Sequence, residues 1–156
     1  SKFDRVVTYL RTLAPPAQRN ANDPSVKRGN ILFHKIGCAN CHTPSLRTGS
    51  DAAIDELKNQ SIKPYTDLLL HDMGEDLADG IQDSLASGSE WRTPPLWGIG
   101  LTKTVNGNTF FLHDGRARSI EEAILWHGGE GSESRKNYSS LSLDDKVDLL
   151  NFINSL

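Results

Sequence analysis

Both cysteines of this chain lie within the stretch Cys38-Ala39-Asn40-Cys41-His42, in which a histidine directly follows the second one. Three kinds of site use such a pair. A thioredoxin-like dithiol lies beside a strand and a helix of a βαβ unit, a structural zinc needs four ligands, and Cys-x-x-Cys-His attaches haem c. No strand pattern flanks the pair, and no second cysteine pair could complete a zinc site. The sequence therefore predicts one covalent haem c, tethered by Cys38 and Cys41, with His42 as proximal iron ligand.

The second axial position of the iron decides whether the site carries electrons or binds a substrate. His127 follows Ile120 by seven residues on a predicted helix whose apolar face is Ile120, Ala123 and Ile124, so its imidazole should point into the core. A buried imidazole needs a partner, which is either a backbone carbonyl, as for an ordinary core histidine, or the iron. Met73, the only methionine, lies in a short loop and is the other main candidate.

The remaining histidines are weaker candidates for this position. His34 lies too close to the motif, on the preceding helix, to reach the opposite haem face. His71 and His113 remain candidates for the second axial ligand. A further alternative is an iron without a second protein ligand. A methionine ligand raises the potential of a haem, so ligation by His42 and His127 predicts a comparatively low potential.

The composition describes one domain of ordinary size. The chain has 156 residues, of which 37% are hydrophobic and 24% charged, and its formal net charge is −3. Acidic and basic residues alternate, which excludes the electrostatic signature of nucleic-acid binding. The longest apolar runs have three or four residues, so we expect no membrane-spanning segment. A redox partner protein is compatible with so mild a charge.

A helix should lead directly into the cysteine motif. Asp23 is placed as its N-cap and Pro24 as its first residue. Gly37 should end the helix just before Cys38. One face carries Val26, Gly29, Phe33 and Ile36. Glycine lowers helix stability by roughly 1 kcal/mol relative to alanine, so Gly29 indicates a close approach by another helix or a ligand.

Two later helices have clear start signals. Ser119 and Glu122 form a capping box for the helix that carries His127, and Gly128 and Gly129 suit a left-handed cap at its end. Ser142 and Asp145 repeat the capping pattern for the last helix. The apolar side of that helix should consist of Val147, Leu149, Leu150, Ile153 and Leu156.

The middle of the chain has few regular signals. Residues 43–64 suggest a loop with a short helix at 52–58, residues 65–97 mostly loop, and residues 103–115 a hairpin that turns at Asn106-Gly107. Long loops are unusual in a compact domain unless a large ligand organises them. We therefore predict a mainly α, cytochrome c-like helical domain at 21–156, with long loops around one covalent haem. We expect residues 1–20 to be a helix and linker from a preceding region, because the sequence opens with a helix already under way.

Five segments together resemble a known family: "YLRTLAPPAQRN", "DPSVKRGNILFHKIGCANCHTP", "YTDLLLHDMGEDLADG", "EWRTPPLWGIGL" and "FLHDGRARSIEEAILWHGGEG". They are similar to the C-terminal haem domain of the di-haem oxidoreductases, also labelled thiol oxidoreductases, which are relatives of bacterial di-haem cytochrome c peroxidases. In the peroxidases the segment similar to the last one ends in a methionine that ligates the electron-transfer haem. The matching position here is His127.

The resemblance also implies roles for residues that spacing alone does not single out. Met73 would be a pocket residue, Pro95 would belong to the turn that packs beside the haem, and Arg92 would pair with a propionate. Members of the family carry two haems, whereas this chain has one attachment motif. Either another haem domain lies upstream, or this is a single-haem descendant.

The leading functional hypothesis is a c-type cytochrome domain that transfers single electrons, the electron-transfer part of a larger di-haem oxidoreductase. The alternative is a peroxidase-like enzyme in which a distal ligand is displaced and His71, Asp72 or His113 handles protons. As c-type haem is attached outside the cytoplasm, we expect a periplasmic protein. Its partner would be a redox protein or an upstream haem domain.

Overall fold

The computed structural model describes every residue from Ser1 to Leu156. The broadly helical class predicted from the sequence is confirmed. Six α-helices are present: α1 (Lys2–Thr12), α2 (Pro24–Lys35), α3 (Thr102–Asn106), α4 (Ile120–Leu125), α5 (Ser132–Ser139) and α6 (Leu143–Ser155). Four short strands form two antiparallel pairs: β1 (Leu46–Arg47) with β2 (Ser61–Ile62), and β3 (Leu70–Asp72) with β4 (Glu90–Arg92).

The core is centred on the contact between α2 and α6. The Asp23 side chain accepts a hydrogen bond from the Ser25 N–H, and Pro24 begins α2, as predicted. The predicted apolar face of α2 is buried: Val26, Gly29, Phe33 and Ile36. Phe33 meets Phe152 of α6 edge-to-face, with ring centroids 5.3 Å apart. This contact holds the end of α2, and with it the cysteine motif, against the core.

Helix α6 begins where its sequence signal predicted, but one residue of its predicted apolar side is exposed. Ser142 accepts a hydrogen bond from the Asp145 N–H at 3.2 Å. Leu149, Ile153 and Leu156 are buried and Leu150 is partly buried against the core. Val147 is 54% exposed, so its predicted place on the apolar side was wrong. The buried surface of α6 is narrower than predicted, because the contact with α2 covers only one side of it.

The helix before His127 is shorter than its sequence pattern suggested. Ser119 accepts from the Glu122 N–H at 3.0 Å, but the Glu122 carboxylate accepts from the Arg118 N–H rather than closing a capping box. Helix α4 ends at Leu125, and of the two glycines predicted for its cap only Gly129 has a positive φ, +47°. Helix α5, which carries no strong apolar periodicity, was missed.

The predicted hairpin at 103–115 was wrong. Residues Thr102–Asn106 form α3, and Gly107 ends it in the left-handed conformation at φ +74°. Asn-Gly is a hairpin signal because glycine accepts positive φ, and a helix C-cap exploits the same property. The pairing of β3 with β4 falls where the sequence predicted mostly loop, because three-residue strands leave no periodic signal.

Helix α1 has no buried residue. Its apolar side chains Phe3, Val6, Tyr9 and Leu10 are all more than half exposed. None of the helices combines the length and apolar character needed to cross a bilayer. The assignment of residues 1–20 to a separate linker stays a prediction.

Gly29 offers a test of the packing between α2 and α6. A Cβ atom at this position would lie 2.0 Å from the Asp148 carbonyl oxygen, so Gly29→Ala should force the two helices apart. We expect its free energy of unfolding to fall by about 1–3 kcal/mol, measured by urea denaturation followed by circular dichroism. Asn30→Ala, on the exposed side of α2, is the control and should change it by less than about 0.5 kcal/mol. Equal stability of both variants would contradict the close approach.

Candidate functional site

A cavity of about 500 Å³ lies against α2, α4 and the segment 91–96, and both cysteines line it. Its volume is within the range of about 300–1,000 Å³ typical of cofactor sites. Protein interiors contain few voids larger than a water molecule, so a cavity of this size indicates a bound group. Most of its lining is apolar and includes Phe33, Leu77, Trp91, Leu96, Ile99, Phe111, Ile120, Ile124 and Ile153.

The cysteine motif forms a tight turn at the end of α2. Gly37, at φ +96°, ends the helix as predicted and begins a 3₁₀ turn at Cys38–Asn40. The His42 N–H donates to the Cys38 carbonyl at 2.9 Å, which brings the histidine back beside the cysteines. His42 Nδ1 lies 3.0 Å from the Tyr65 carbonyl oxygen. If Nδ1 donates this hydrogen bond, Nε2 is left with a lone pair for a metal.

The Tyr65 carbonyl is held in place by its neighbours on both sides. The Thr66 hydroxyl donates to the Thr93 carbonyl at 2.7 Å, and the Leu96 N–H donates to the Pro64 carbonyl at 2.9 Å. Tyr65 itself has a φ of +55°, which is uncommon for an aromatic residue. Its ring packs edge-to-face against Phe33 in the core. These contacts fix the backbone conformation that orients His42.

His127 approaches the cavity from the opposite side. It lies two residues beyond the end of α4, and its Nδ1 is 2.7 Å from the Ala123 carbonyl oxygen. Ile120, Ala123 and Ile124 line the same cavity, so the predicted shared face is confirmed. As with His42, a backbone carbonyl orients the imidazole and leaves Nε2 available.

The two imidazoles both line the cavity and lie close together. Their ring centroids are 6.5 Å apart, with an angle of 48° between the ring planes. Two imidazoles on opposite sides of one metal ion, each with a metal–nitrogen bond of about 2 Å, have centroids roughly 6 Å apart. Burial lowers the pKa of His42 to about 4 and also lowers the pKa of His127. Both side chains are therefore neutral near pH 7, the state in which imidazole binds a metal. The residues present fit a haem between these two histidines.

The cysteine thiols do not have the character of a reactive dithiol. Burial raises the pKa of Cys38 to about 12, and burial together with the carboxylates of Asp67 and Glu130 raises the pKa of Cys41. Redox-active cysteines need a lowered pKa, because the thiolate is the nucleophile. This environment argues against a thioredoxin-like function.

The three further residues predicted to contact the cofactor all line the cavity: Met73, Arg92 and Pro95. Met73 lies on the His127 side, since a Cβ atom at Gly131 would be 3.4 Å from Met73 Cε and 3.1 Å from His127 Cβ. Arg92 is exposed at the end of β4, and Pro95 precedes the buried Leu96. A second cationic side chain of the lining, Arg135, was missed by the sequence analysis.

The other histidines have different surroundings. His34 is exposed on α2. His113 is stacked on Trp91, with ring centroids 3.5 Å apart and an interplanar angle of 8°. Both ring nitrogens of His71 lie 2.9 Å from carboxylate oxygens, one from Asp67 and one from Glu130. No local sequence pattern predicts this cluster, because Glu130 is distant from Asp67 and His71 along the chain.

The comparison with protein families agrees with this site. Residues 2–156 match the family described as "Di-haem oxidoreductase, putative peroxidase". The chain belongs to the di-haem oxidoreductase family. The resemblance found in the sequence is therefore confirmed, and haem is the cofactor that this family implies. A search of curated proteins finds no match.

A solved structure shares the fold of this di-haem oxidoreductase chain. It is hydrazine synthase of Kuenenia stuttgartiensis, pressurised with 20 bar xenon, with a TM-score of 0.56 and 22% sequence identity. The match covers 97% of this chain and 54% of that one, so the present chain spans about half of its length. At this level of identity, the likeness shows the fold alone.

Proposed function

We propose that this chain is a cytochrome c-like domain that transfers single electrons through one covalently bound haem, with His42 and His127 as axial ligands. The observation that carries the proposal is the pair of neutral imidazoles in the cavity that both cysteines line, with ring centroids 6.5 Å apart. When bound, a haem ligated in this way supplies one-electron redox chemistry at the iron. The chain would supply two nitrogen ligands held by backbone carbonyls and a largely apolar cavity.

The covalent tether is assigned to Cys38 and Cys41. Both thiols line the cavity, and the turn that contains them also positions His42. Cys-x-x-Cys-His is the attachment signature of haem c. The raised thiol pKa values are compatible with this assignment, since the thiols are kept from other reactions.

His127 is a better axial ligand than Met73. Its Nδ1 is anchored by the Ala123 carbonyl and its ring faces His42, whereas Met73 lies beside it in the wall of the cavity. Met73 and Pro95 then form apolar contacts with the haem. Arg92 and Arg135 are the arginines of the lining and would pair with the haem carboxylates.

A peroxidase-like enzyme is the second candidate function, and the family description is the observation that favours it. In that case His127 would leave the iron and a nearby group would handle protons. Of the groups considered, His71 and His113 line the cavity. His71 is held between two carboxylates, which leaves His113 as the freer acid or base.

We further propose that the chain works within a larger di-haem protein. The family name specifies two haems, and this sequence contains one attachment motif. Its electrons would be exchanged with the other haem domain or with a separate redox protein. Because haem c is attached outside the cytoplasm, we place the protein in the periplasm.

A covalent haem can be tested by mass. Protein exported to the periplasm of a bacterium that makes c-type cytochromes should be red, with a mass higher than that of the polypeptide by one haem. After denaturing electrophoresis, the protein band should still stain for haem. The double variant Cys38→Ala, Cys41→Ala is the control and should lose the covalent haem. A colourless wild-type protein with the bare polypeptide mass would overturn the proposal.

The axial ligands can be tested by spectroscopy. The wild-type protein should be low-spin in both oxidation states and bind carbon monoxide slowly. In His127→Gly the iron should become high-spin and bind carbon monoxide readily, because no second imidazole is available. Met73→Leu is the matched control and should keep the low-spin spectrum.

Two results would contradict this assignment. A high-spin Met73→Leu variant together with a low-spin His127→Gly variant would transfer the axial role to Met73. Rapid binding of carbon monoxide or peroxide by the wild-type protein would favour the peroxidase-like function.

A further inference from the structure

A cluster of three charged side chains lies at the edge of the cavity beside Cys41. His71 Nε2 is 2.9 Å from Asp67 Oδ2, and His71 Nδ1 is 2.9 Å from Glu130 Oε2. Carboxylates only accept hydrogen bonds, so both ring nitrogens must carry hydrogen, and the imidazole is a cation. The hydrogen bond to Glu130 is the largest influence that raises the pKa of His71. The three side chains form a carboxylate–imidazolium–carboxylate bridge.

The two carboxylates of this bridge belong to the two segments that hold the facing imidazoles. Asp67 lies two residues after Tyr65, whose carbonyl orients His42, and the Asp67 N–H donates to the Cys41 carbonyl at 2.9 Å. Glu130 lies three residues after His127, in the 3₁₀ turn Gly129–Gly131. His71 therefore connects the His42 side of the cavity with the His127 side.

Glu130 also fixes the turn that follows His127 against β3. Its Oε1 accepts a hydrogen bond from the Asp72 N–H at 3.0 Å, while Oε2 binds His71. The backbones are in close contact here, because a Cβ atom at Gly129 would lie 2.1 Å from the Asp72 carbonyl oxygen. Every hydrogen bond between residues 127–131 and residues 67–74 is made by the Glu130 carboxylate.

The His127 imidazole has little other support from this side. Its Nδ1 bonds only to the Ala123 carbonyl, and the His127 backbone N–H donates to the Ile124 carbonyl, both in or beside a helix of only six residues. The distance between the His127 and His42 imidazoles therefore depends on how the turn at Gly129–Gly131 is anchored. The Glu130 carboxylate makes the hydrogen bonds of that anchor, next to the close packing of Gly128 and Gly129 on residues 72–74.

We propose that His71 is a positioning residue, which through Glu130 and Asp67 holds the His127 turn at a fixed separation from the His42 segment and so keeps the second imidazole on the iron. This inference rests on the proposed function, because it concerns the same haem site. It assigns to His71 neither ligation nor proton transfer. A charged hydrogen bond at each ring nitrogen makes the bridge stronger than a neutral contact would be.

The test compares ligand binding in four variants of the full protein with covalent haem. His71→Gln cannot span both carboxylates, and Glu130→Gln removes the charge while keeping an acceptor for the Asp72 N–H. Each should increase the rate of carbon monoxide binding to the reduced haem by about tenfold or more, the factor that corresponds to one charged hydrogen bond. Both should also show a high-spin fraction in the spectrum. His34→Gln and Glu133→Gln, which alter exposed residues outside the bridge, are the matched controls and should behave as wild type.

The double variant His71→Gln, Glu130→Gln separates a bridge from two independent effects. If the residues act as one unit, its binding rate should equal that of either single variant. Rates that multiply, or single variants with wild-type spectra and rates, would overturn this inference while leaving the proposed function intact. A wild-type protein without covalent haem would overturn both. If one of the two single variants does not fold, the other tests the inference by itself. His71→Gln is then compared with His34→Gln, or Glu130→Gln with Glu133→Gln.

Discussion

The arrangement of the site depends on two neighbouring imidazoles, each held by a backbone carbonyl. His42 is oriented by the Tyr65 carbonyl and His127 by the Ala123 carbonyl. Neither carbonyl can rotate freely, because the first is fixed by hydrogen bonds to the 93–96 segment and the second belongs to α4. The backbone therefore holds Nδ1 of each imidazole and leaves Nε2 as the nitrogen that would bind iron in the proposed function.

Burial in the apolar cavity sets the protonation state of the side chains proposed to hold the haem. Burial lowers the pKa of both imidazoles, which keeps them neutral and able to bind iron, and it raises the pKa of Cys38. Charged groups remain at the edge, where Asp67, His71 and Glu130 satisfy one another. In the proposed function, the apolar interior keeps both imidazoles neutral for iron binding. The side chains of Asp67, His71 and Glu130 at the edge maintain the distance between the segments that carry His42 and His127.

Between α2 and α4 the chain forms only short strands, short helical turns and loops. The close approach of α2 to α6 at Gly29 supplies the main helix contact, and much of the remaining chain is arranged around the cavity as short strands and loops. Such loops bury little apolar surface among themselves. A large apolar group would supply the missing contacts, which explains why a domain with so many loops is compatible with a stable haem protein.

Local sequence determined the parts of this protein whose signals lie within a few residues: the N-cap residues of α2, α4 and α6, the Gly37 turn, the cysteine motif and the inward direction of His127. Capping and periodicity are short-range effects, so they can be read directly. Only the tertiary structure decided that Gly107 caps a helix and does not turn a hairpin, that the Tyr65 carbonyl orients His42, and that Glu130 meets His71. These outcomes depend on partners distant along the chain, which packing brings together and which no local pattern specifies.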